Sequence, residues 1–296
     1  SAVYDVPVGD AWPEANVSRL VDLVNDAGLS LSVVESIPVH ESIKLGLADR
    51  DRYIDAYAQS VERVGAAGVS VVCYNFMPVF DWMRTDLAFP LPDGSSTLTF
   101  SDDALARIDL SRGTGELPGW STAYDAVTLE RLLSQWRAVT SEALWGHLGY
   151  FLERIVPVAA SAGVKLAIHP DDPPWSIFGL PRIITNAASL RRLLSLVENP
   201  ANGLTFCTGS MASSDENDVP AMVRELLGSA PRDEKAAVAV PKPEGAAAAP
   251  APRPRPWSAR LRPRPSHRPR SGAGSWRFRS WWGGLYSPTA MISRPL

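Results

Sequence analysis

The feature that most constrains this chain is a series of short, almost continuously apolar runs, each separated from the next by a longer segment with helical periodicity. Val69-Ser-Val-Val-Cys-Tyr74 is the clearest of these runs. A run that is apolar at consecutive positions, rather than at every second one, has to bury both faces, as a strand does in a parallel sheet covered by helices. Strands are expected over residues 2–6, 29–35, 69–76, 164–169 and 204–207, and helices over 14–26, 50–66, 142–161, 186–198 and 217–227. Gly28, Gly68 and Gly163 stand just past the first three helices, where a residue that tolerates a left-handed backbone ends a helix well. The region 80–140, with the turn Leu91-Pro-Asp-Gly94, is longer than a simple βα connection needs.

An α/β chain of this kind is either an open doubly wound sheet or a (β/α)8 barrel. No Gly-x-Gly-x-x-Gly follows the first run and no Gly-x-x-x-x-Gly-Lys-Ser/Thr occurs, so the nucleotide-binding open sheet loses its main signature. Polar residues collect where the apolar runs end: Asp5, Glu35, Asn75, His169 with Asp171 and Asp172, and Cys207. In a barrel those ends converge on one mouth, where catalysis is expected. Five strands are too few to close eight, so the expectation is an incomplete TIM barrel over residues 1–230. The chain starts at Ser1 and enters a strand-like run almost at once, as a fragment lacking its first segment would.

Charge divides the 296 residues sharply. Residues 231–296 carry 11 Arg and 2 Lys against 3 acids, a net of +10, and 12 of the 26 prolines. Residues 1–230 keep 16 of the 29 basic and 29 of the 32 acidic residues, a net of -13. Proline at that density forbids regular helix and central strand, so 231–296 is expected to be a low-complexity tail, disordered or polyproline-like. Three readings of it compete. Arginines interspersed with Trp257, Trp276, Trp281 and Trp282 suit a nucleic-acid-binding arm, and the Pro-Arg repeats suit a ligand of SH3-type domains. Translation of a GC-rich gene out of frame gives the same composition, and the abrupt end of the patterned sequence near Ala230 favours it.

No run reaches the ~18–20 apolar residues of a membrane helix, and the N-terminus has neither a basic nor a hydrophobic leader region. Two cysteines, Cys73 and Cys207, do not make a disulfide framework. The expected compartment is the cytoplasm.

The chemistry resides in the residues that follow the strands. His169 and Cys207 each close a strand, 38 positions apart, and an imidazole and a thiolate are both good ligands for a first-row transition metal. The plainer alternative is a core cysteine and an ordinary polar histidine. His169-Pro-Asp-Asp-Pro-Pro174 is a stiff polar loop in which Asp171 or Asp172 orients the histidine or binds substrate hydroxyls, unless it is only a solvated turn. Asn75, Asp81, Arg84 and Asp86 share one loop after a strand, where Arg84 suits a substrate carboxylate or an ion pair within the loop. His40-Glu41 sits near the same mouth, His147 reads as a surface position of a helix, and Cys73 reads as core.

Five blocks in order resemble the mannonate dehydratase family: Val33-Val-Glu-Ser-Ile-Pro-Val-His-Glu41, Val72-Cys-Tyr-Asn-Phe-Met-Pro-Val-Phe-Asp-Trp-Met-Arg-Thr-Asp-Leu87, Ile168-His-Pro-Asp-Asp-Pro-Pro174, Gly179-Leu-Pro-Arg-Ile183 and Asn202-Gly-Leu-Thr-Phe-Cys-Thr-Gly-Ser210. The resemblance spans residues 1 to about 230. It implies a xylose-isomerase-like TIM barrel, a cofactor that is Mn2+ or Fe2+, and metal-dependent dehydration of D-mannonate to 2-keto-3-deoxy-D-gluconate in hexuronate breakdown. It assigns His169 and Cys207 to the metal and, by position, Asn75, Asp81, Arg84, Asp171, Asp172 and Arg182 to the substrate, and it leaves the acid/base residues of this chain unassigned. The implied partner is a small sugar acid, with no membrane and no nucleic acid, and with self-association left open.

The chain departs from the family after Asp218. The family's later metal ligands, a His in a Phe-x-His-x-Arg strand and an Asp in a Pro-Asp-His-Gly segment, have no counterpart, and His267 stands in an unrelated Arg-Pro-Ser-His-Arg-Pro setting. Tyr4-Asp5 also stands where members of the family carry a His pair. Impaired activity is therefore expected. The competing expectations are another sugar isomerase or epimerase of the same barrel superfamily, and a non-enzymatic protein with a basic tail that binds nucleic acid.

Overall fold

Helix formation begins at Glu14, just after Pro13, whose fixed φ suits the entry to a helix. In a computed structural model of the chain, residues 2–115, 117–119, 123–228 and 289–292 are described. The elements in chain order are α1 (Glu14–Asp26), β1 (Val33–Glu35), α2 (Glu41–Leu45), α3 (Arg50–Ala66), β2 (Val71–Tyr74), β3 (Asp86–Pro90), β4 (Ser96–Thr99) and α4 (Asp102–Leu105). A 3-10 turn (Leu110–Arg112) then precedes α5 (Ala126–Trp136), α6 (Ser141–Ser161), β5 (Lys165–Ile168), α7 (Ala187–Leu196), β6 (Asn202–Cys207), α8 (Thr208–Ala212), α9 (Val219–Gly228) and β7 (Thr289–Ile292).

Strands β1, β2, β5 and β6 lie side by side in that order, all parallel, and β7 adds antiparallel to β6. Parallel neighbours require a crossover, and α2 with α3, α6, and α7 supply them. The result is an α/β arc of the TIM-barrel type, incomplete among the described residues.

Gly28, Gly68 and Gly163 all have positive φ (73°, 83° and 70°), so the glycine signal located three helix ends correctly. α6 carries Pro157 inside it. The missing N–H falls opposite Glu153, on the exposed side, where water can serve that carbonyl. The inner faces of α3 (Ile54, Tyr57, Val61, Val64) and α6 (Leu148, Phe151, Leu152, Ile155) are buried in one core with Val72, Tyr74, Leu166, Ile168, Leu204 and Phe206 of the sheet.

Three expectations need correction. Residues 2–6 form no strand, although Ala2 and Val3 are buried in the core. The run gains hydrophobic burial at Ala2 and Val3 but forms no ladder with the edge strand β1. The strand expected over 29–35 shortens to Val33–Glu35, because only those residues face β2. The long region 80–140 holds the β3–β4 hairpin, α4, the 3-10 turn and α5. Within the segment expected to be wholly irregular, Thr289–Ile292 is a strand. The chain divides into two units, Ser1–Pro231 with Tyr286–Leu296, and Arg232–Leu285. The second unit, with the Arg/Trp arm and His267, lies outside the described residues. Among the described residues no helix is long and apolar enough to cross a membrane.

Candidate active site at the carboxyl ends of the strands

Period-2 alternation decides which side chains meet. The register sets Glu35 opposite Cys73, Cys73 opposite Ala167 and Ala167 opposite Gly203, and residues paired in this way share a face. Counting on by two places Asn75, His169, Thr205 and Cys207 on that same face, at or just past the strand ends. The middle of the face is small. Over Ala167 the Cys73 Sγ reaches Thr205 Oγ1 at 3.3 Å, and that hydroxyl lies 3.3 Å from Ala167 O, to which it donates. Burial, with the Glu35 charge beside it, pushes the Cys73 thiol up to about 12, so at neutral pH it is a buried donor, as core placement requires.

His169 extends the ladder beyond β5, its N–H donating to Tyr74 O at 2.6 Å. Its Nδ1 lies 2.7 Å from Pro170 O. A carbonyl only accepts, so Nδ1 carries the hydrogen and Nε2 is left for Cys207, with which the ring shares a hydrogen bond. Burial alone would lower the imidazole pKa, but the Cys207 hydrogen bond and charge and the Pro170 carbonyl outweigh it, and the net direction is up. For the half-buried Cys207, burial acts upward and is outweighed by His169 and by the Ser210 hydroxyl, bringing the thiol to about 7. The two groups therefore share one proton near neutrality, and the sulfur is readily available as a thiolate.

Asp172 is the hub beside this pair. Its two carboxylate oxygens accept from Arg84 Nη1 at 2.8 Å and Nη2 at 3.0 Å, a fork-on-fork pair, and its Oδ2 also accepts from Ser210 Oγ at 3.2 Å. The backbone joins in, with Met83 N donating to Asp172 O at 3.2 Å. The ion pair expected within the loop after β2 thus bridges to the loop after β5 instead.

Asp171 braces the loop after β5, and Arg182 ties it to the loop after β2. Asp171 Oδ2 accepts from Ile183 N at 2.6 Å and Ile184 N at 3.0 Å, while Arg182 donates to Phe80 O at 2.8 Å and Asp81 O at 3.2 Å. Both side chains are buried, and among the described residues Asp171 Oδ1 and Arg182 Nε have no hydrogen-bond partner. Burial raises the Asp171 carboxyl pKa against the pull of Arg182. Asp81, half-buried, accepts from its neighbour Trp82 N at 2.9 Å; its enclosure raises its pKa, with Lys44 and Arg182 acting downward. Asn75 Oδ1 accepts from Met77 N at 3.3 Å. Asp86 opens the exposed hairpin, away from this cluster.

A second polar cluster, not foreseen, lies behind the loop after β2. Glu41 Oε1 accepts from Lys44 Nζ at 2.7 Å and Val79 N at 3.3 Å, and Oε2 from Trp136 Nε1 at 2.8 Å. Lys44 also donates to Met77 O at 2.8 Å. Val79 has φ 59°, a strained value for a β-branched residue, and is held there by Glu41 on its N–H and Tyr124 Oη on its carbonyl. His40 turns away from the mouth: it caps α2 by accepting from Ser42 N at 3.1 Å and stacks on Tyr53 with ring centroids 3.6 Å apart. His147 is not a surface residue but half-buried, its Nδ1 donating to Lys44 O at 2.7 Å. It packs where any side chain on Gly46 would stand.

Parallel strands that deliver an imidazole, a thiol and a paired carboxylate to one side of their carboxyl ends define an α/β protein of the barrel class, in which sites are built on βα loops. Residues 1–232 match the model of the D-mannonate dehydratase (UxuA) family. Mannonate dehydratase 2 of Halalkalibacterium halodurans is 50% identical over 228 residues, covering 77% of this chain and 66% of that protein. Mannonate dehydratase of Streptococcus equi subsp. zooepidemicus is 52% identical over 228 residues, covering 77% and 63%. The crystal structure of mannonate dehydratase from Streptococcus suis serotype 2 superposes with a TM-score of 0.70 at 50% identity, over 77% of this chain and 61% of that one. The chain belongs to the D-mannonate dehydratase family, and it spans 61 to 66% of the length of these relatives.

Proposed function

We propose that the chain is a hydro-lyase that dehydrates D-mannonate to 2-keto-3-deoxy-D-gluconate in hexuronate breakdown, with His169 and Cys207 as metal ligands. The observation that carries this reading is the His169–Cys207 pair, in which the Pro170 carbonyl sets the imidazole tautomer and the thiol is brought to about 7. That donor set fits a divalent first-row metal, Mn2+ or Fe2+: an imidazole whose other nitrogen is tied to a carbonyl and a thiolate available at neutral pH. Among the described residues no set of three or more His, Cys, Asp or Glu side chains gathers to hold an ion. Two protein donors predict weak retention and correspondingly impaired turnover. When bound, the metal would act as a Lewis acid on the substrate oxygens.

Dehydration removes the proton on carbon 2, beside the carboxylate, and expels the hydroxyl on carbon 3; the enol that results becomes the ketone. Of the residues proposed for the substrate, Asn75 and Asp81 are partly exposed, and the Arg84–Asp172 pair meets the ligand pair through Ser210. Arg182 serves the substrate by holding the loop after β5 to the loop after β2, and Asp171 by fixing the backbone at Ile183 and Ile184 beside it. The catalytic domain of this proposal is residues 1–230. The Pro/Arg/Ala composition of 231–296 supports a tail outside it, Thr289–Ile292 excepted. Two free cysteines suit a cytoplasmic enzyme.

The test is D-mannonate incubated with the protein and Mn2+ or Fe2+, following the 2-keto product, beside Cys207→Ser. Slow turnover abolished by the substitution carries the reading. An isomerised or epimerised sugar acid as product moves the chain to the isomerase reading. As a second measure, Mn2+ should protect Cys207 from alkylation; unchanged labelling at millimolar metal counts against the ligand assignment.

A further inference from the structure

We propose that Ser210 is a positioning residue for the Cys207 sulfur, with Asp172 as the alternative acceptor of the same hydroxyl. The inference rests on the reading of Cys207 as a metal ligand.

Ser210 lies three residues past Cys207, in α8, and is 2% exposed. Its hydroxyl stands 3.2 Å from Cys207 Sγ and 3.2 Å from Asp172 Oδ2. One hydroxyl carries one hydrogen, so it serves one acceptor at a time. Asp172 is already supplied, because both of its oxygens accept from the guanidinium of Arg84. The sulfur is in a different position. An imidazole nitrogen and a thiolate that both give lone pairs to one cation no longer share a proton, so cation binding removes His169 as the donor to Cys207. Ser210 Oγ is then the hydroxyl within reach, and the carboxylate behind it accepts no further hydrogen bond it needs.

The consequence is a hydroxyl with two alternative acceptors. While His169 supplies Cys207, the Ser210 hydroxyl is free to donate to Asp172; once His169 is withdrawn it turns to the sulfur, and Asp172 keeps its two hydrogen bonds from Arg84. Hydrogen bonds to a ligand atom of this kind orient it and tune its electron donation to a metal.

The experiment is a titration with Co2+, followed through the near-ultraviolet charge-transfer band that a cobalt-bound thiolate produces, on the full chain and on Cys207→Ser, Ser210→Ala, Ser210→Thr and Asp172→Asn. The expected result is a band in the parent that Cys207→Ser removes. Ser210→Ala should displace the band and weaken Co2+ binding by about 10- to 100-fold. Ser210→Thr, which keeps the hydroxyl, should restore both, and Asp172→Asn, which weakens the competing acceptor, should not weaken Co2+ binding. Circular dichroism checks that each variant folds, and Ser210→Gly carries the test if Ser210→Ala does not. A parent band with the same position and affinity in Ser210→Ala overturns the role of Ser210 alone. No band in the parent at millimolar Co2+, or a band that survives Cys207→Ser, overturns the ligand reading and this inference with it.

Discussion

Two polar clusters border the carboxyl ends of this sheet, and they differ in how their hydrogen bonds close. Behind the loop after β2, Glu41 and Lys44 are mostly buried, and their polar groups meet fixed partners: Trp136 Nε1, Val79 N and Met77 O. In front, His169, Cys207 and Ser210 share single protons among more acceptors than those protons can serve, and Cys207 is only half-buried. A closed cluster holds a backbone in place, here the strained Val79. An open one keeps bonding capacity for something that arrives.

The contrast can be broken by substitution, and the closed cluster should respond most. Glu41→Ala leaves Lys44 buried without its counter-charge, and the expected loss is about 3–5 kcal/mol in a denaturant unfolding midpoint. A loss below about 1 kcal/mol would show that the cluster is not the brace described. Arg84→Ala removes the partner of the buried Asp172, for which about 2 kcal/mol is expected by the same measurement, discounted because Arg84 itself is partly exposed. Thr205→Val deletes the hydroxyl that Cys73 meets over Ala167 and should cost about 1 kcal/mol.

The smallest effect on stability should belong to the open cluster. Cys207→Ser is expected to shift unfolding by less than about 1 kcal/mol while removing the one thiol that native-state alkylation labels. Cys73, 1% exposed, should react only after unfolding. Mass spectrometry of labelled peptides decides this: modification of Cys73 in the folded protein would mean that its cover over β5 opens.

Much of the fold was legible because it is encoded locally. The ends of α1, α3 and α6 follow from 3.6-residue periodicity and from glycines able to take positive φ, and the structure agrees within a residue or two. His169 and Cys207 were recognisable as strand-end residues because the apolar runs before them stop there. What escaped was set by partners far along the chain. α2 is five residues long, too short for a periodic signal, and depends on Gly46 and His147. α5 reads as part of a loop until its Trp136 is seen to reach Glu41, 95 positions away. Residues 2–6 have strand-like composition but do not pair with the edge strand β1.

By itself, then, the sequence determined which segments are strands or helices over most of residues 14–228, and that a thiol and an imidazole end two of the strands. Those outcomes depend on neighbours a few residues apart, and propensity and periodicity act at that range. Only the tertiary structure decided that Asn75, His169 and Cys207 share a face, that Arg84 forks onto Asp172, and that Ser210 stands between Asp172 and Cys207. Register and loop packing set those contacts, and a shift of one residue in β5 or β6 would have turned His169 or Cys207, respectively, to the other side of the sheet.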